Sequence, residues 1–272
     1  MLSKRVQGSS RLGRRSLRHC RLRLDRVSFS DLGAEISETS RIRPFARKLA
    51  QAARRARSYP KLRFGEISST RPLSTAWGFD RGTPIDRYYI DKFLSEHAAD
   101  IRGRVLEVGD DSYSRRFGGD RIGRQDVLHV DDSNSAATIV GDLASSDLLP
   151  ASSFDCMILT QTLQYVFDLP ASLAAIRRAL RPGGVALITV PATSPIGYDQ
   201  WANRFYWRFS LPSMKRLLAA AFEPAMIEVE PLGNLYAATA FLHGAAVEEV
   251  SKKKLQHVMP EYAVIIAARA VA

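Results

Sequence analysis

"VLEVGDDSYSRR", residues 105–116, is the stretch on which the reading of the chain turns. Three apolar positions, Val105, Leu106 and Val108, run into Gly109, where a nucleotide-binding strand would turn. A dinucleotide site would continue with further glycines, which let backbone amides and a helix N-terminus approach a pyrophosphate. Here Asp110 and Asp111 fill the turn, and the next glycine is Gly118. Two carboxylates within a few ångströms would repel a phosphate, so electrostatics argues against NAD, FAD or ATP at this turn. A ligand carrying positive charge suits it better.

Outward from this turn, strand and helix patterns alternate. Upstream, "GTPIDRYYIDKFLSEHAADI" (82–101) predicts a helix with Thr83 as N-cap and Pro84 at its first position, because Ile85, Tyr88, Tyr89, Phe93 and Ala98 fall near helical spacing. "RVLEVG" (104–109), "DVLHVD" (126–131), "ATIVGDL" (137–143) and "FDCMILTQ" (154–161) predict four strands. "LPASLAAIRRALRPGG" (169–184) predicts a helix closed by Pro182-Gly183-Gly184, and "VALITVP" (185–191) a fifth strand. A helix near 212–222, a strand "MIEVEP", a helical "LYAATAFLHGAAVEEV" and a strand "YAVIIAARAV" complete the pattern. The expected fold is α/β: a doubly wound, seven-stranded, mostly parallel sheet, with ligands at the carboxyl ends of its strands.

S-adenosylmethionine carries a sulfonium and an α-ammonium and no phosphate, which answers the acidic turn. In order and spacing, "VLEVGDD", "HVDDSN", "GDL", "FDCMILTQTLQYV" and "LRPGGVALITVP" resemble a class I S-adenosylmethionine-dependent methyltransferase of the type 11-like kind, with a Rossmann-like fold, over residues 80–270. More narrowly, "GFDRGTPIDRYYI" and "ILTQTLQYVFD" are similar to methyltransferase domains found beside glycosyltransferases in bacterial polysaccharide and glycoside pathways. The resemblance implies that Glu107, Gly109 and Asp110 line the methionine part of the cofactor. It implies that Asp131 accepts from the ribose hydroxyls, that Asp142 and Leu143 meet the adenine edge, and that Gln161 faces the transferred methyl. Members usually carry a second glycine where Asp111 stands, a position at which aspartate tolerates left-handed angles better than most residues.

The acceptor side is expected in "ATSPIGYDQWANRFYWRFS" (192–210), where Tyr198, Trp201, Phe205, Tyr206 and Trp207 offer either a wall for a ring-shaped acceptor or a hydrophobic cluster under a long loop. Gln161, Gln164 and Tyr165 are candidate catalytic or acceptor contacts, and no general base is named. His129 reads as a core or surface histidine, and Cys156 as a small core residue. No metal is expected, since neither paired carboxylates nor a histidine cluster stands at ligand spacing.

The net charge of +11 is unevenly placed. Residues 1–64 hold 18 of the 39 lysines and arginines against four acids, whereas the remainder is slightly acidic. Residues 1–70 therefore read as a basic, largely disordered extension with a short amphipathic helix over 41–57, and 71–272 as the methyltransferase domain. The extension suits weak electrostatic contact with an anionic surface. With two cysteines and no apolar run near 18–20 residues, a cytoplasmic protein without stable membrane insertion is expected. The activity expected is methyl transfer to a hydroxyl of a sugar, glycoside or secondary metabolite, the acceptor being a small molecule or glycan. Two alternatives stand beside it: methylation of RNA or protein guided by the tail, and a degenerate, non-catalytic binding protein.

Overall fold

A computed structural model describes residues 65–197 and 201–272. The extension over 1–64, its helix over 41–57, and Tyr198 lie outside the described residues.

Seven strands form one sheet in the order β3-β2-β1-β4-β5-β7-β6. They are β1 (Gly103–Val108), β2 (Ile122–His129), β3 (Ile139–Val140), β4 (Phe154–Thr160), β5 (Leu180–Pro191), β6 (Ile227–Leu232) and β7 (Ile265–Val271). The pairs among β1 to β5 are parallel, and β7 runs antiparallel between β5 and β6. The helices are α1 (Ile85–Glu96), α2 (Ser112–Gly118), α3 (Leu169–Ala179), α4 (Leu211–Ala219), α5 (Leu235–Leu242) and the single turn α6 (Lys252–Leu255).

The strands are apolar because both faces are covered, and side-chain alternation sorts them into two layers. Val105, Cys156, Ile158, Val185 and Leu187 pack beneath α1 and α5 with Tyr89, Phe93 and Phe241. Leu106, Met157, Leu159, Ala186 and Ile188 face the opposite layer of α3 and α4, with Leu173, Ile176, Met214 and Leu218. Each large apolar side chain so buried stabilises the fold by about 1.5–3 kcal/mol before entropy is counted.

Three local expectations fail, two of them to distant partners. Thr83 does not cap α1: Pro84 takes the cap position without a side-chain bond, and the Thr83 hydroxyl donates to Glu248 instead, at 2.8 Å. Pro182-Gly183-Gly184 does not close α3, which ends at Ala179. Arg181, preceding a proline, is biased away from helical angles, and Leu180 already pairs with Phe154 in the sheet. The four residues 181–184 bulge between Leu180 and Val185, and the Gly183 amide donates to the Ala272 carbonyl at 2.8 Å. The helix expected across 235–250 stops at Leu242, where Gly244 (φ +71°) supplies the left-handed exit. Asp168, Ser210 and Asn234 cap α3, α4 and α5 through their side chains, as their residue types favour.

Candidate active site

The strand order reverses between β1 and β4, and the carboxyl ends of β1, β2 and β4 meet there. Gly109 leaves β1 in the left-handed region (φ +95°) with open space where a Cβ would stand. Its amide donates to the Leu128 carbonyl at 2.9 Å, and its carbonyl accepts from Asn134 Nδ2 at 2.6 Å, which fixes the turn. Asp111 needs no left-handed angle, standing at φ −118° as the residue before α2. Its carboxylate pairs with Arg115, and Asp110 accepts from the Ser112 amide at 2.8 Å.

Glu107 is fully buried, yet it is not orphaned. Its two oxygens accept from the backbone amides of Tyr113 (3.1 Å) and Ser114 (2.7 Å), tying the first turn of α2 to β1. Burial still dominates and pushes its carboxyl up to about 7.

Three cavities open at this edge, and Thr160 at the end of β4 borders all of them. The first, of about 310 Å³, is lined by Gly109, His129, Asp142, Leu143 and Gln161, together with Tyr165 and Trp201. Asp142 is exposed and accepts only from the Ala144 amide at 2.9 Å, so its carboxylate keeps acceptor capacity. The second, of about 720 Å³, gathers Glu107, Asp110, Asp91, Arg87, Arg116 and Tyr113, charges of both signs that suit a zwitterionic amino-acid end. The third, of about 270 Å³, lies behind Gln161 and holds Gln164, Tyr165, Phe205, Trp77, Phe79 and Asp86.

Of the site residues expected from the sequence, Gly109, Asp142, Leu143, Gln161 and Tyr165 thus share one cavity. Glu107 and Asp110 sit in the next, and Gln164 in the third. Asp131 lines none of the three: its carboxylate accepts from the amide and hydroxyl of Ser133 (3.1 and 2.6 Å) and lies 3.1 Å from His129 Nδ1. These hydrogen bonds, with His129 beside them, hold it below the usual carboxylate range.

The aromatic segment divides. Tyr165 meets Trp201 and Phe205 at 6.1 and 5.7 Å between ring centres, facing the site. Tyr206 and Trp207 turn outward onto exposed Phe167, and the Trp207 indole donates to the Val166 carbonyl at 3.0 Å. Sequence reasoning missed Asp86, Arg87, Trp77 and Phe79. A signal for Asp86 existed, since positions 86, 89, 90 and 93 lie on one helical face and form the buried stripe of α1. Among the described residues no cluster of metal-ligating side chains occurs, and no helix is long and apolar enough to cross a membrane.

A family model described as a methyltransferase domain matches residues 70–221, more than half of the chain. None of the curated proteins matches it. Among solved structures, it is similar to an S-adenosylmethionine-dependent methyltransferase from Mesorhizobium loti, at 15% identity over 72% of this chain and 100% of that one, with a TM-score of 0.47. It is similar to a second from Archaeoglobus fulgidus, at 12% identity over 68% and 94%, with a TM-score of 0.47. A third is phosphoethanolamine N-methyltransferase 2 of Haemonchus contortus in complex with phosphomonomethylethanolamine and S-adenosylhomocysteine. There the identity is 18% over 62% of this chain and 48% of that one, with a TM-score of 0.43, so this chain spans about half its length. On the family match, and with the seven-stranded sheet and acidic switch-point turn in place, the chain belongs to the class I S-adenosylmethionine-dependent methyltransferases.

Proposed function

We propose that the protein methylates a hydroxyl of a sugar, glycoside or related metabolite, with residues 71–272 as the catalytic domain and 1–70 as a basic extension. The observation that carries this reading is the cavity behind Gln161, where hydrogen-bonding Gln161 and Gln164 stand among the aromatic faces of Trp77, Phe79 and Phe205. Aromatic faces beside amide side chains are the chemistry that holds a hydroxylated ring.

When bound, S-adenosylmethionine supplies an electrophilic methyl on a sulfonium. The chain's residues divide the work of holding it. Asp142 and Leu143 meet the adenine from the wall of the first cavity, and Asp131, just past the end of β2 beside His129, is the residue that the family resemblance assigns to the ribose. Gly109 admits the backbone closely because no Cβ projects there. Glu107 and Asp110 face the α-ammonium and Arg87 the carboxylate, in a cavity lined by both charges. Gln161, whose backbone is left-handed (φ +48°), stands between the cofactor and acceptor cavities. A strained, non-glycine backbone at such a position is the mark of a placed functional group.

The test is a calorimetric titration with S-adenosylhomocysteine, followed by incubation with methyl-tritiated S-adenosylmethionine and a panel of neutral methyl glycosides, small amines and RNA. Label entering glycosides at oxygen supports the reading. Label entering amines or RNA instead refutes it.

A further inference from the structure

We propose that Asp86 is the proton-accepting residue of the acceptor cavity, and that the cavity takes a neutral polyhydroxylated ring with one hydroxyl held between Asp86 Oδ1 and Gln161 Nε2. This rests on the reading above and assigns to Asp86 a role that the sequence motifs do not.

Five buried side-chain polar atoms among the described residues have no hydrogen-bond partner, and three of them belong to this one cavity: Asp86 Oδ1, Gln161 Nε2 and Gln164 Oε1. Asp86 is 8% exposed and Gln164 2%. Buried polar groups are nearly always paired, so three orphans in one place mark a ligand that supplies the missing partners. Gln164 Nε2 donates to the Gln161 carbonyl at 2.8 Å, which fixes its amide and leaves its oxygen free for the ligand.

The orphans comprise two acceptors and one donor, so the ligand must offer two donors and one acceptor. Two neighbouring hydroxyls meet that requirement. An ammonium offers donors alone and would leave Gln161 Nε2 unsatisfied. It would also face the Arg87 guanidinium, which lies 3.4 Å from Asp86 Oδ2 and 5.6 Å from the centre of the Phe79 ring. A phosphate offers acceptors alone and would meet the Asp86 carboxylate. A neutral diol answers both signs, and the rings of Trp77, Phe79 and Phe205 favour one carried on a ring.

The cavity is also built at a cost to the backbone. Three non-glycine residues among those described have positive φ, and two of them, Trp77 (+55°) and Gln161 (+48°), line it. Gly197 seats the Trp77 indole: a Cβ there would stand 2.1 Å from the ring. Burial raises the Asp86 carboxyl above its ordinary range against the opposing pull of Arg87, which makes it a better base than an exposed aspartate. Burial opposes the charge of Arg87, and the carboxylates of Asp86 and Asp110 sustain it.

In the step, the hydroxyl oxygen forms its bond to the methyl carbon as the carbon–sulfur bond breaks, and that electron pair stays on sulfur. The hydroxyl proton passes to Asp86 Oδ1, which later releases it to water.

The experiment uses the full chain with methyl pyranosides as probes. Saturation-transfer NMR reads glycoside binding with S-adenosylhomocysteine present, and tritium transfer reads methylation. Asp86→Asn should keep its affinity for S-adenosylhomocysteine within about twofold, retain glycoside binding, and lose about a hundredfold in transfer. Transfer to glycosides that survives Asp86→Asn within about threefold overturns the role of Asp86 while leaving hydroxyl methylation standing. Label confined to amines, or none in any glycoside, overturns the ring assignment together with the parent reading. Should Asp86→Asn not fold, Gly197→Ala displaces Trp77 and should weaken glycoside saturation transfer about tenfold without changing S-adenosylhomocysteine affinity. Unchanged glycoside binding in that variant overturns the placement of the acceptor.

Discussion

Glu107→Gln offers the sharpest quantitative check on the switch-point turn. The carboxyl is buried on β1 and raised from 4.5 to about 7, with Asp110 adding to the effect of burial and the Tyr113 and Ser114 amides opposing it. A folded value above the unfolded one means that the folded state binds the extra proton. Its contribution to stability is fully present below about pH 4.5 and is lost as pH rises through about 7. At about 1.4 kcal/mol for each tenfold change, that separation amounts to about 3 kcal/mol. Glutamine cannot ionise, and giving up one of two accepted amide bonds costs about 1 kcal/mol at every pH. Urea unfolding followed by tryptophan fluorescence between pH 4.5 and 8 should therefore show the wild type losing about 3 kcal/mol relative to the variant. Curves that stay parallel within about 0.5 kcal/mol would refute the burial argument. The ligand side carries the opposite sign. An α-ammonium near Glu107 favours its ionised form, so S-adenosylhomocysteine should bind more tightly as pH rises from 5 to 7 and release a proton, and Glu107→Gln should abolish both.

Three further outcomes follow from local geometry. Gly118→Ala places a Cβ 2.7 Å from Ile122 Cδ1 and 2.8 Å from Ile101 Cγ2, and urea titration should show a loss of about 1–3 kcal/mol. Ser210→Ala removes the capping box of α4, in which Ser210 and Ser213 each bond the other's backbone amide, and should cost about 1 kcal/mol in the same assay. Asp142→Ala touches only the Ala144 amide within the protein, so calorimetry should show S-adenosylhomocysteine bound about tenfold more weakly, with a melting temperature that hardly moves.

What could be read from the sequence is what the chain decides locally. The central strands were legible because the short apolar runs of β1, β4 and β5 mark strands covered on both faces. The left-handed turn at Gly109 was legible because an apolar strand running into glycine marks where the chain leaves the sheet. Two of the failures share one cause, a partner far away in sequence. Thr83 abandons its cap for Glu248, and Gly183 donates to Ala272 rather than closing a helix. Asp86 hides in the same way. By residue type and position it is an ordinary first-turn acid of α1, the kind placed there by the helix dipole. Its environment is made by Gln161 and Gln164 from the turn after β4 and by Trp77 from the loop before α1. Glu107 is the instructive middle case. A carboxylate on a buried strand is costly without a partner, so its residue type alone points to a ligand. The amides that pair it are only six and seven residues on, supplied by α2. A strand acid followed by a short helix can thus be both a structural tie and a ligand contact. Because burial keeps Glu107 near neutrality despite those two donors, the arriving ammonium rather than the fold completes its ionisation.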